Sequence, residues 1–355
     1  VVFVSHVLPG EKVLAQVYED RGGSFCRAEP VQILEPSPDR VPQVWKQAGS
    51  GGAGGAEFGH IKLARQRELK ADVLEEALDR MAGIKLRPVV EAAPGDDEAN
   101  GLGYRTRMQL HVDEAGTVGP YRERSHEVIK VKDLPLAVED LRELEMHNKN
   151  FQNVKKIELS ASSTGQVQWK IDSKLKGDER LIERVAGRTF RISGGGFWQV
   201  HKKAAEVLSS AVTEMVAAAG IDKEADNLDL YGGVGLFSGA LAAKFGNDLR
   251  ITSVESFRQA TDDATLNLAD LAKAKAVCAP VERFLNERVG NLDKGGKAVS
   301  PRNSTIILDP PRAGAGAKVV GQILEIQPKH IKTLRAFDLF PHTHHVEAVA
   351  SLVRK

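Results

Sequence analysis

The sequence predicts an α/β protein in which a doubly wound sheet follows a small β-rich region and a mixed α+β region. Three observations support this fold class. Strands and helices alternate from about residue 203, period-two segments dominate residues 1–42, and 355 residues exceed what one hydrophobic core usually organises. We therefore expect domains at residues 1–42, 43–200 and 201–355.

The N-terminal region reads as short strands followed by a joint and a helix. The segments VVFVSHV, EKVLAQVYED and SFCRAEPVQIL are separated by Pro9-Gly10 and Gly22-Gly23, which predicts a small β-barrel. The glycine-rich run from Gly49 to Gly55 is expected to be a flexible joint. Apolar residues then recur at helical spacing, which predicts a helix over Ile61–Met81.

The C-terminal region alternates helices and strands. A helix is expected over Lys203–Ala218, followed by a strand that ends at Leu230. Further strands are expected at Leu249–Val254, around Val277 and at Ser304–Leu308. This order is typical of a doubly wound sheet, whose ligands bind at the carboxyl ends of the strands.

The composition is that of an ordinary globular protein. Hydrophobic residues make up 42% and charged residues 27% of the chain, and no apolar run approaches the roughly 20 residues of a membrane span. The first residues lack the charged start and cleavage site of a secretory signal. Cys26 and Cys278 are the two cysteines, which excludes a disulfide framework and a cysteine-rich metal site. We expect a cytoplasmic monomer that does not associate with membranes.

Charge gives only a local argument for nucleic acid. The 49 basic residues are nearly matched by 48 acidic ones, so the net charge is +1. Within Tyr104–Lys132, however, period-two spacing places Arg105 with Arg107, and Arg122 with Arg124, on one face of a strand. We expect this basic strip to contact phosphates, and a solvated sheet face is the alternative.

A glycine-rich turn indicates a cofactor site. Asp229, Tyr231 and Gly233 lie where a hydrophobic strand turns into a helix, within DLYGGVGLFSG, and the glycines there let the backbone approach a ligand closely. Glu255 ends the next strand, where a carboxylate can accept hydrogen bonds from both hydroxyls of a ribose. Together these residues predict a cofactor that contains adenosine.

Two such cofactors compete, a dinucleotide and S-adenosylmethionine. A dinucleotide site should show GxGxxG, and the order GGVGLFS does not match that pattern. The methyl donor also accounts for Asp309-Pro310-Pro311-Arg312, a rigid turn at the end of the fourth strand. Arg312 in this turn is a further candidate substrate contact. Plain loop punctuation is the alternative for the proline pair.

Together these residues resemble the RNA 5-methyluridine methyltransferases that carry an N-terminal TRAM domain. VFVSHVLPGEKV and LEPSPDRV resemble the TRAM barrel and its exit, and GYRTRMQL resembles the central RNA-binding domain. GGGFWQVH, DLYGGVGLFSGALA, LDPPRAGAG and LFPHTHHVEAV resemble the catalytic domain, and these four motifs in this order are highly specific. The resemblance implies a class I (Rossmann-like) methyltransferase domain behind an OB-like TRAM barrel and a central α+β domain.

The resemblance also implies a cofactor, a substrate and a mechanism. S-adenosylmethionine would be contacted by Gln199, Tyr231, Glu255 and Asp309. Uracil C5 is too poor a nucleophile to take a methyl group directly, so the family adds a cysteine thiolate to C6 before C5 attacks the sulfonium methyl group. Glu347 would then remove the C5 proton, and the thiol is eliminated. Partial burial would help the Glu347 carboxylate to accept a proton near neutral pH.

The three histidines that precede Glu347 could also suggest a metal site. His342, His344 and His345 have no second cluster of ligands elsewhere in the sequence, so we expect no metal. Some family members hold an iron–sulfur cluster, whose cysteines would fall where this chain has Ala53, Ala56 and Leu134. Without thiolates there we expect no cluster.

The sequence departs from the family at the nucleophile. The family's cysteine follows the fifth strand, and no cysteine lies between LDPPR and HTHHVE in this chain. Pro328–Ile331 reads as the start of that strand and runs directly into Lys332–Phe337, which reads as the sixth. Neighbouring parallel strands need a crossover of about a dozen residues or more. We hypothesise that residues are missing after Ile331 and that a loop there carries the nucleophile.

Two alternatives to this function remain, and one observation bears on the RNA substrate. A genuine deletion after Ile331 would leave an inactive RNA-binding relative, since Cys26 and Cys278 lie in strand patterns where a packed thiol is usual. Methylation of an exocyclic amine needs no thiol but leaves Glu347 and its motif unexplained. The TRAM-like segment favours ribosomal RNA over transfer RNA as the substrate.

Overall fold

The computed structural model describes residues 1–293, 304–326 and 330–353, so Pro328 and Lys329, where a fifth strand is predicted to begin, lie outside the described residues. In these ranges the α-helices are Leu63–Ala82 (α1), Glu139–Arg142 (α2), Ala204–Ala219 (α3), Leu236–Phe245 (α4), Arg258–Asn267 (α5), Val281–Asp293 (α6) and Gly316–Ile326 (α7). Two 3-10 helices cover Lys46–Ala48 and Met146–Asn148.

The strands carry the remaining regular structure. Within the same ranges they are Val2–Val4 (β1), Lys12–Asp20 (β2), Cys26–Glu35 (β3), Val90–Ala92 (β4), Arg107–Val112 (β5), Val118–Gly119 (β6), Lys156–Ala161 (β7), Val167–Ile171 (β8), Lys174–Gly177 (β9), Arg180–Val185 (β10), Arg188–Ser193 (β11), Asn227–Leu230 (β12), Ile251–Glu255 (β13), Ala274–Cys278 (β14), Ile306–Leu308 (β15), His330–Asp338 (β16) and Glu347–Val353 (β17).

The described strands form five sheets. Their orders are β1-β3-β2, β6-β5-β7-β8-β9, β10-β11, β14-β13-β12-β15 and β17-β16-β4. Every pair in the four-stranded sheet is parallel. This arrangement, with a helix after each of β12, β13, β14 and β15, confirms the predicted doubly wound, Rossmann-like sheet.

The chain divides into two compact units. The first contains Val1–Ser160, Trp169–Lys174 and Arg335–Ala348, and the second contains Ala161–Gln168, Leu175–Leu334 and Val349–Lys355. The division into three domains with boundaries at 42 and 200 stays a prediction. Residues 175–200, which the sequence assigns to the central domain, belong to the second unit.

The first unit begins with a three-stranded sheet, and the small β-barrel predicted for residues 1–42 stays a prediction. β1 pairs parallel with β3, and β2 pairs antiparallel with β3 through three shifts of register. Such bulges bend a strand and increase its twist, as a small curled sheet requires. The predicted helix over residues 61–81 is confirmed as α1, which ends at Gly83 in the left-handed conformation, with φ of 64°. A glycine is favoured there because it has no Cβ to clash.

The second unit contains the parallel sheet. β12 is buried along its whole length, because helices cover both faces of a parallel sheet. Leu228 and Leu230 of β12 pack with Val254, Val281 and Leu285 in one core cluster. The predicted strands ending at Leu230, Glu255 and Leu308 are confirmed within one or two residues.

β16 differs from the sequence prediction. It runs without a break from His330 to Asp338, so the prediction of separate fifth and sixth strands on either side of Ile331 is wrong for this chain. Its last residues pair parallel with β4, and among the described residues β15 is the edge strand of the four-stranded parallel sheet. The hypothesis that residues are missing after Ile331 stays a prediction. None of the described helices is both long enough and apolar enough to span a bilayer.

Candidate active site

The carboxyl ends of β12, β13 and β15 meet at one edge of the parallel sheet. Leu230 pairs with Val254 on one side and with Leu308 on the other. The Gly232 N–H donates to Val254 O at 3.1 Å, and the Asp309 N–H donates to Leu230 O at 3.3 Å. The fold therefore brings together the three parts that the sequence assigns to the cofactor, which are the glycine loop, Glu255 and Asp309. This agrees with the predicted topology, in which ligands bind at the carboxyl ends of parallel strands.

The glycine loop has an unusual backbone. Tyr231 adopts φ of 62°, a left-handed conformation that is rare for a bulky residue, and Gly233 and Gly235 have φ of 54° and 87°. A Cβ on Gly233 would meet no atom within 4 Å, so this backbone faces open space. Strained residues of this kind cluster at ligand sites, because the surrounding structure must hold them in place.

Glu255 is fixed by the loop that it faces. One carboxylate oxygen, Oε2, accepts from the Gly233 N–H at 3.2 Å, and Oε1 accepts from the Phe257 N–H at 2.8 Å and the Ser256 hydroxyl at 3.2 Å. A carboxylate has about four acceptor positions, so lone pairs remain for a ligand. Glu255 is thus held in a set orientation and can still accept from ribose hydroxyls.

Asp229 lies buried beneath the loop and caps α4. Its Oδ2 accepts from the Ser238 N–H at 3.0 Å and from the Ser238 hydroxyl at 2.7 Å. Burial raises the pKa of Asp229 to about 6, while the hydrogen bonds from Ser238 lower it and the charges of Asp309 and Glu255 raise it further. Asp229 therefore orients the start of α4, and with Glu255 and Asp309 it places three carboxyl groups at this edge of the parallel sheet.

The pH dependence of stability should report on Asp229. Because its pKa is raised in the folded state, its contribution is complete below pH of about 4 and is lost as pH rises through about 6. We expect wild type to lose roughly 2 kcal/mol relative to Asp229→Asn between pH 4 and pH 7. Urea unfolding of both proteins across this range measures the difference. A difference that stays constant with pH contradicts the expectation, and the exposed Asp262→Asn serves as control.

Gly232 is a second sensitive position in the loop. A Cβ there would overlap the Ser253 hydroxyl and lie 3.2 Å from the carboxyl carbon of Asp229. Gly232→Ala is expected to weaken cofactor binding at least tenfold, because the loop must move away from Glu255. Isothermal titration with S-adenosylhomocysteine measures this effect. Gly321→Ala is the matched control, since Gly321 lies in α7 and a Cβ there would meet no atom within 4 Å. Equal binding by the two variants would contradict the role of the loop.

Asn267 of α5 ties the glycine loop to β11. Its Nδ2 donates to Val234 O and to Arg191 O, both at 3.0 Å, and its Oδ1 accepts from the Arg191 N–H at 2.8 Å. Gln199 lies half-buried between β11 and α3, in the loop that follows this hairpin. Its role as a cofactor contact stays a prediction. Arg312 is exposed in the turn after β15, as is Asp309.

Glu347 lies in the first unit, at the first residue of β17. It is exposed, so the expectation that partial burial tunes this carboxylate is wrong for this structure. What is buried is the loop that leads to it. Lys70 of α1 donates to Asp338 Oδ1 at 2.5 Å and to Phe340 O at 3.1 Å, and both charged side chains are almost inaccessible to solvent.

The predicted basic strip is only partly present. Arg107 opens β5, whereas Arg105 precedes it, and both are half-buried. Arg122 donates to Gly51 O and pairs with Glu127, while Arg124 has φ of 56° in a turn and donates to the Tyr18 hydroxyl. The prediction that Arg122 and Arg124 share one strand face is therefore wrong, because the chain turns between them. Their contact with RNA stays a prediction.

The three residues at the positions where the resemblance would place cluster cysteines are packed in the core of the first unit. Ala53, Ala56 and Leu134 are at most 3% exposed. Across the residues that the structure describes, no group of three or more histidine, cysteine or acidic side chains could hold a metal ion. His342 is instead buried and hydrogen-bonded within the protein.

Sequence reasoning missed Gln66, Lys70 and Asn267, and it named Asp229 without its burial or its contact with Ser238. Gln66 and Lys70 lie on the buried face of α1, and Asp229 and Asn267 are buried beneath the glycine loop. A signal existed for the first pair, since polar residues at i and i+4 interrupt an apolar helix face. Their partners are far away in sequence, so the pairing itself could not be read from the pattern.

Comparisons with known proteins bear on the fold and the family. No protein-family model matches the chain. Proteins named "uncharacterized RNA methyltransferase" match it from Streptomyces avermitilis, at 35% identity over 99% of this chain and 92% of the relative, and from Bifidobacterium longum, at 33% identity over 100% and 92%. The crystal structure of Pyrococcus abyssi tRNA (uracil-54, C5)-methyltransferase in complex with S-adenosyl-L-homocysteine has a TM-score of 0.69 at 20% identity, covering 99% of this chain and 95% of that one, which confirms the predicted fold.

These relatives are longer than this chain within the aligned region. The alignment with the Streptomyces avermitilis relative extends over 414 positions, whereas this chain has 355 residues. At least 59 of those positions therefore have no counterpart in this chain. The relative contains internal residues that this sequence lacks.

Proposed function

Because the chain belongs to this family of bacterial RNA methyltransferases, we propose that it transfers a methyl group from S-adenosylmethionine to C5 of a uridine in structured RNA. The observation that carries the proposal is the glycine loop, held by hydrogen bonds against Glu255 at the edge of a parallel sheet. This geometry suits an adenosine ribose, and the sequence lacks the third glycine of a dinucleotide site. The solved structure with the same fold was determined with S-adenosyl-L-homocysteine, which supports the choice of cofactor.

Each of these residues would have a separate role in methyl transfer. Glu255 accepts hydrogen bonds from the ribose, and Gly233 lets the backbone lie close to the cofactor. The bound cofactor supplies an electrophilic methyl group. Glu347 accepts the proton from C5, and its exposed position leaves it accessible to an RNA base. A thiolate is required at C6 to make C5 nucleophilic.

We place the missing nucleophile among the positions that the relatives have and this chain lacks. The strand segments on either side of Ile331 are joined directly in β16, where the family places the nucleophile loop. The complete protein should therefore be heavier than the 38.5 kDa of this sequence. An intact mass equal to 38.5 kDa would rule out this part of the proposal.

A second candidate function is an RNA-binding relative without methyl transfer. The continuous strand β16 favours it, because a strand without a break needs no insertion. So does the position of the two cysteines: Cys26 lies in β3, and Cys278 ends β14 with its thiol 3.7 Å from Ser256 O. Neither lies in the segment between LDPPR and HTHHVE.

RNA containing 5-fluorouridine separates the two candidates. Its C5 substituent cannot leave as a proton, so a thiol enzyme stays covalently attached to the methylated RNA. We expect the complete protein to form this adduct with ribosomal RNA more readily than with transfer RNA. Methyl transfer without an adduct would exclude the thiol mechanism, and RNA binding without methyl transfer would favour the inactive relative.

Glu347→Gln tests the base in the same assay. On ordinary RNA the variant should lose about 10³-fold in methyl-product release and accumulate the covalent adduct, because the C5 proton is no longer removed. Binding of S-adenosylhomocysteine should not change. Glu143→Gln, another exposed carboxylate of the first unit, is the control. An unchanged rate in Glu347→Gln excludes this residue as the base.

A further inference from the structure

His342 makes four hydrogen bonds that fix the loop before Glu347. Its N–H donates to Gln66 Oε1 at 2.8 Å, and its carbonyl accepts from the Phe58 N–H at 2.8 Å. Its ring lies 3.1 Å (Nδ1) from Gln66 Nε2 and 2.8 Å (Nε2) from Asn100 O. His342 is 1% exposed and has φ of 65°, so the fold holds it in a backbone conformation that is rare without glycine.

The partners of the ring determine its tautomer. Asn100 offers a carbonyl oxygen, which can only accept, so His342 Nε2 carries the proton and donates it. Gln66 Oε1 is taken by the His342 N–H, which places its amide nitrogen against Nδ1. Nδ1 is therefore an acceptor, and the ring is neutral. Burial lowers the pKa of His342, which agrees with this assignment.

Both the oxygen and the nitrogen of the Gln66 amide make hydrogen-bond contacts within the protein. Its Nε2 also lies 2.8 Å from Ile61 O and 3.0 Å from Phe58 O, so its two N–H groups are shared among these oxygens and His342 Nδ1, which ties the residues just before α1 to the same amide. A buried amide with these partners has one orientation available. A shift of the loop at His342 would therefore break hydrogen bonds of Gln66, which lies in the first turn of α1.

A second anchor lies just before Glu347. Val346 packs against Ala71, Val90 and Ala336, which belong to α1, β4 and β16. Between the two anchors, the Thr343 hydroxyl donates to Phe340 O at 2.9 Å, and the His345 N–H donates to the Thr343 hydroxyl at 3.3 Å. The residues from 342 to 346 are thus held at both ends and in the middle.

We infer that Gln66 and His342 are positioning residues for Glu347: the amide and the neutral imidazole set the path of the loop that carries the base. This inference rests on the proposed function, since it assigns a purpose to the base of that reaction. A general base must lie within hydrogen-bond reach of the proton that it removes, so a shift of about 1 Å is expected to reduce turnover. Neither residue touches the substrate in this role.

The charged groups around the ring define how acid should act on it. Asp338, Lys70 and Asp96 exert electrostatic effects on His342, and Asp338 and Asp96 favour its protonation while Lys70 opposes it. Protonation would place an N–H at Nδ1 against the donating amide of Gln66. The loop contact is therefore expected to fail in acid, below the usual titration range of histidine.

The first test reads the tautomer without any activity assay. In the full chain labelled with ¹⁵N-histidine, His342 should show a protonated Nε2 and an unprotonated Nδ1 at neutral pH. In Gln66→Leu the Asn100 O contact and the tautomer should remain, whereas backbone amide exchange of residues 343–347 should rise at least tenfold. His147, a buried histidine near Lys132 O, should not change. The opposite tautomer in wild type, or unchanged exchange in Gln66→Leu, overturns the inference.

The second test uses turnover of the complete protein. Gln66→Leu and His342→Phe should each lower kcat about tenfold, with KM for RNA and for S-adenosylmethionine within twofold of wild type. The double variant should lose little more than either single variant, because both belong to one contact. Additive losses, or losses confined to KM, overturn the positioning role. Absence of methyl transfer in wild type contradicts the proposed function instead, and the exchange measurement still decides the inference.

Discussion

Lys70→Met is expected to lower the free energy of unfolding of the first unit by about 3–5 kcal/mol, because it leaves the Asp338 carboxylate buried without its cation. The ion pair is 2.5 Å long and both side chains are at most 1% exposed. The second carboxylate oxygen, Oδ2, has no hydrogen-bond partner among the described residues, so Lys70 carries much of the compensation. Urea unfolding followed by hydrogen exchange of the amides in α1 measures the loss.

Two further variants test whether the loss of stability comes from the buried ion pair. The double variant Lys70→Met/Asp338→Leu should recover most of the stability, since replacing both charges by apolar groups removes the unpaired carboxylate. Arg87→Met is the matched surface control, because Arg87 pairs with Asp72 and Glu75 at the surface, where each side chain is almost half exposed, and should change stability little. If Lys70→Met behaves like Arg87→Met, the buried pair does not support the fold.

Glu255→Gln is expected to weaken binding of S-adenosylhomocysteine by about 10- to 100-fold, since hydrogen bonds to a charged acceptor contribute about 1.5–3 kcal/mol. The same change replaces one carboxylate oxygen by an NH2 donor, which would face either the Gly233 N–H or the Phe257 N–H. Isothermal titration measures the affinity, and the thermal unfolding midpoint shows whether the second unit remains folded.

The control for this variant is Glu206→Gln, an exposed carboxylate of α3 that pairs with Lys203. It should bind the cofactor like wild type. Titration of wild type with NAD tests the competing cofactor, and we expect no binding because the loop lacks the third glycine of GxGxxG. Affinity of Glu255→Gln equal to wild type, or tight binding of NAD, would contradict the assignment of the site.

The sequence was sufficient for the parallel sheet and for one half of the candidate site. Glycine at 233 and a carboxylate at 255 have local physical reasons, which are backbone freedom and the end of a buried strand, and both lie where expected. The turn at Arg124 was not predictable from alternation, because a left-handed residue other than glycine leaves no compositional mark.

The buried polar contacts were also beyond the sequence. Lys70 reads as a solvated helix residue, since lysine is almost never fully buried without a partner. Its partner Asp338 is 268 residues away, and the pairing depends on how α1 packs against β16. Local patterns describe elements, whereas these features come from long-range contacts.

The pair of Lys70 and Asp338 has a consequence for how this family can vary. A single substitution at either position passes through a destabilised intermediate, whereas a joint replacement by apolar residues does not. Natural sequences should therefore contain either both charges or neither, in spite of the 268 residues between them. The buried contact that supports the loop before Glu347 would therefore appear as covariation between positions 70 and 338.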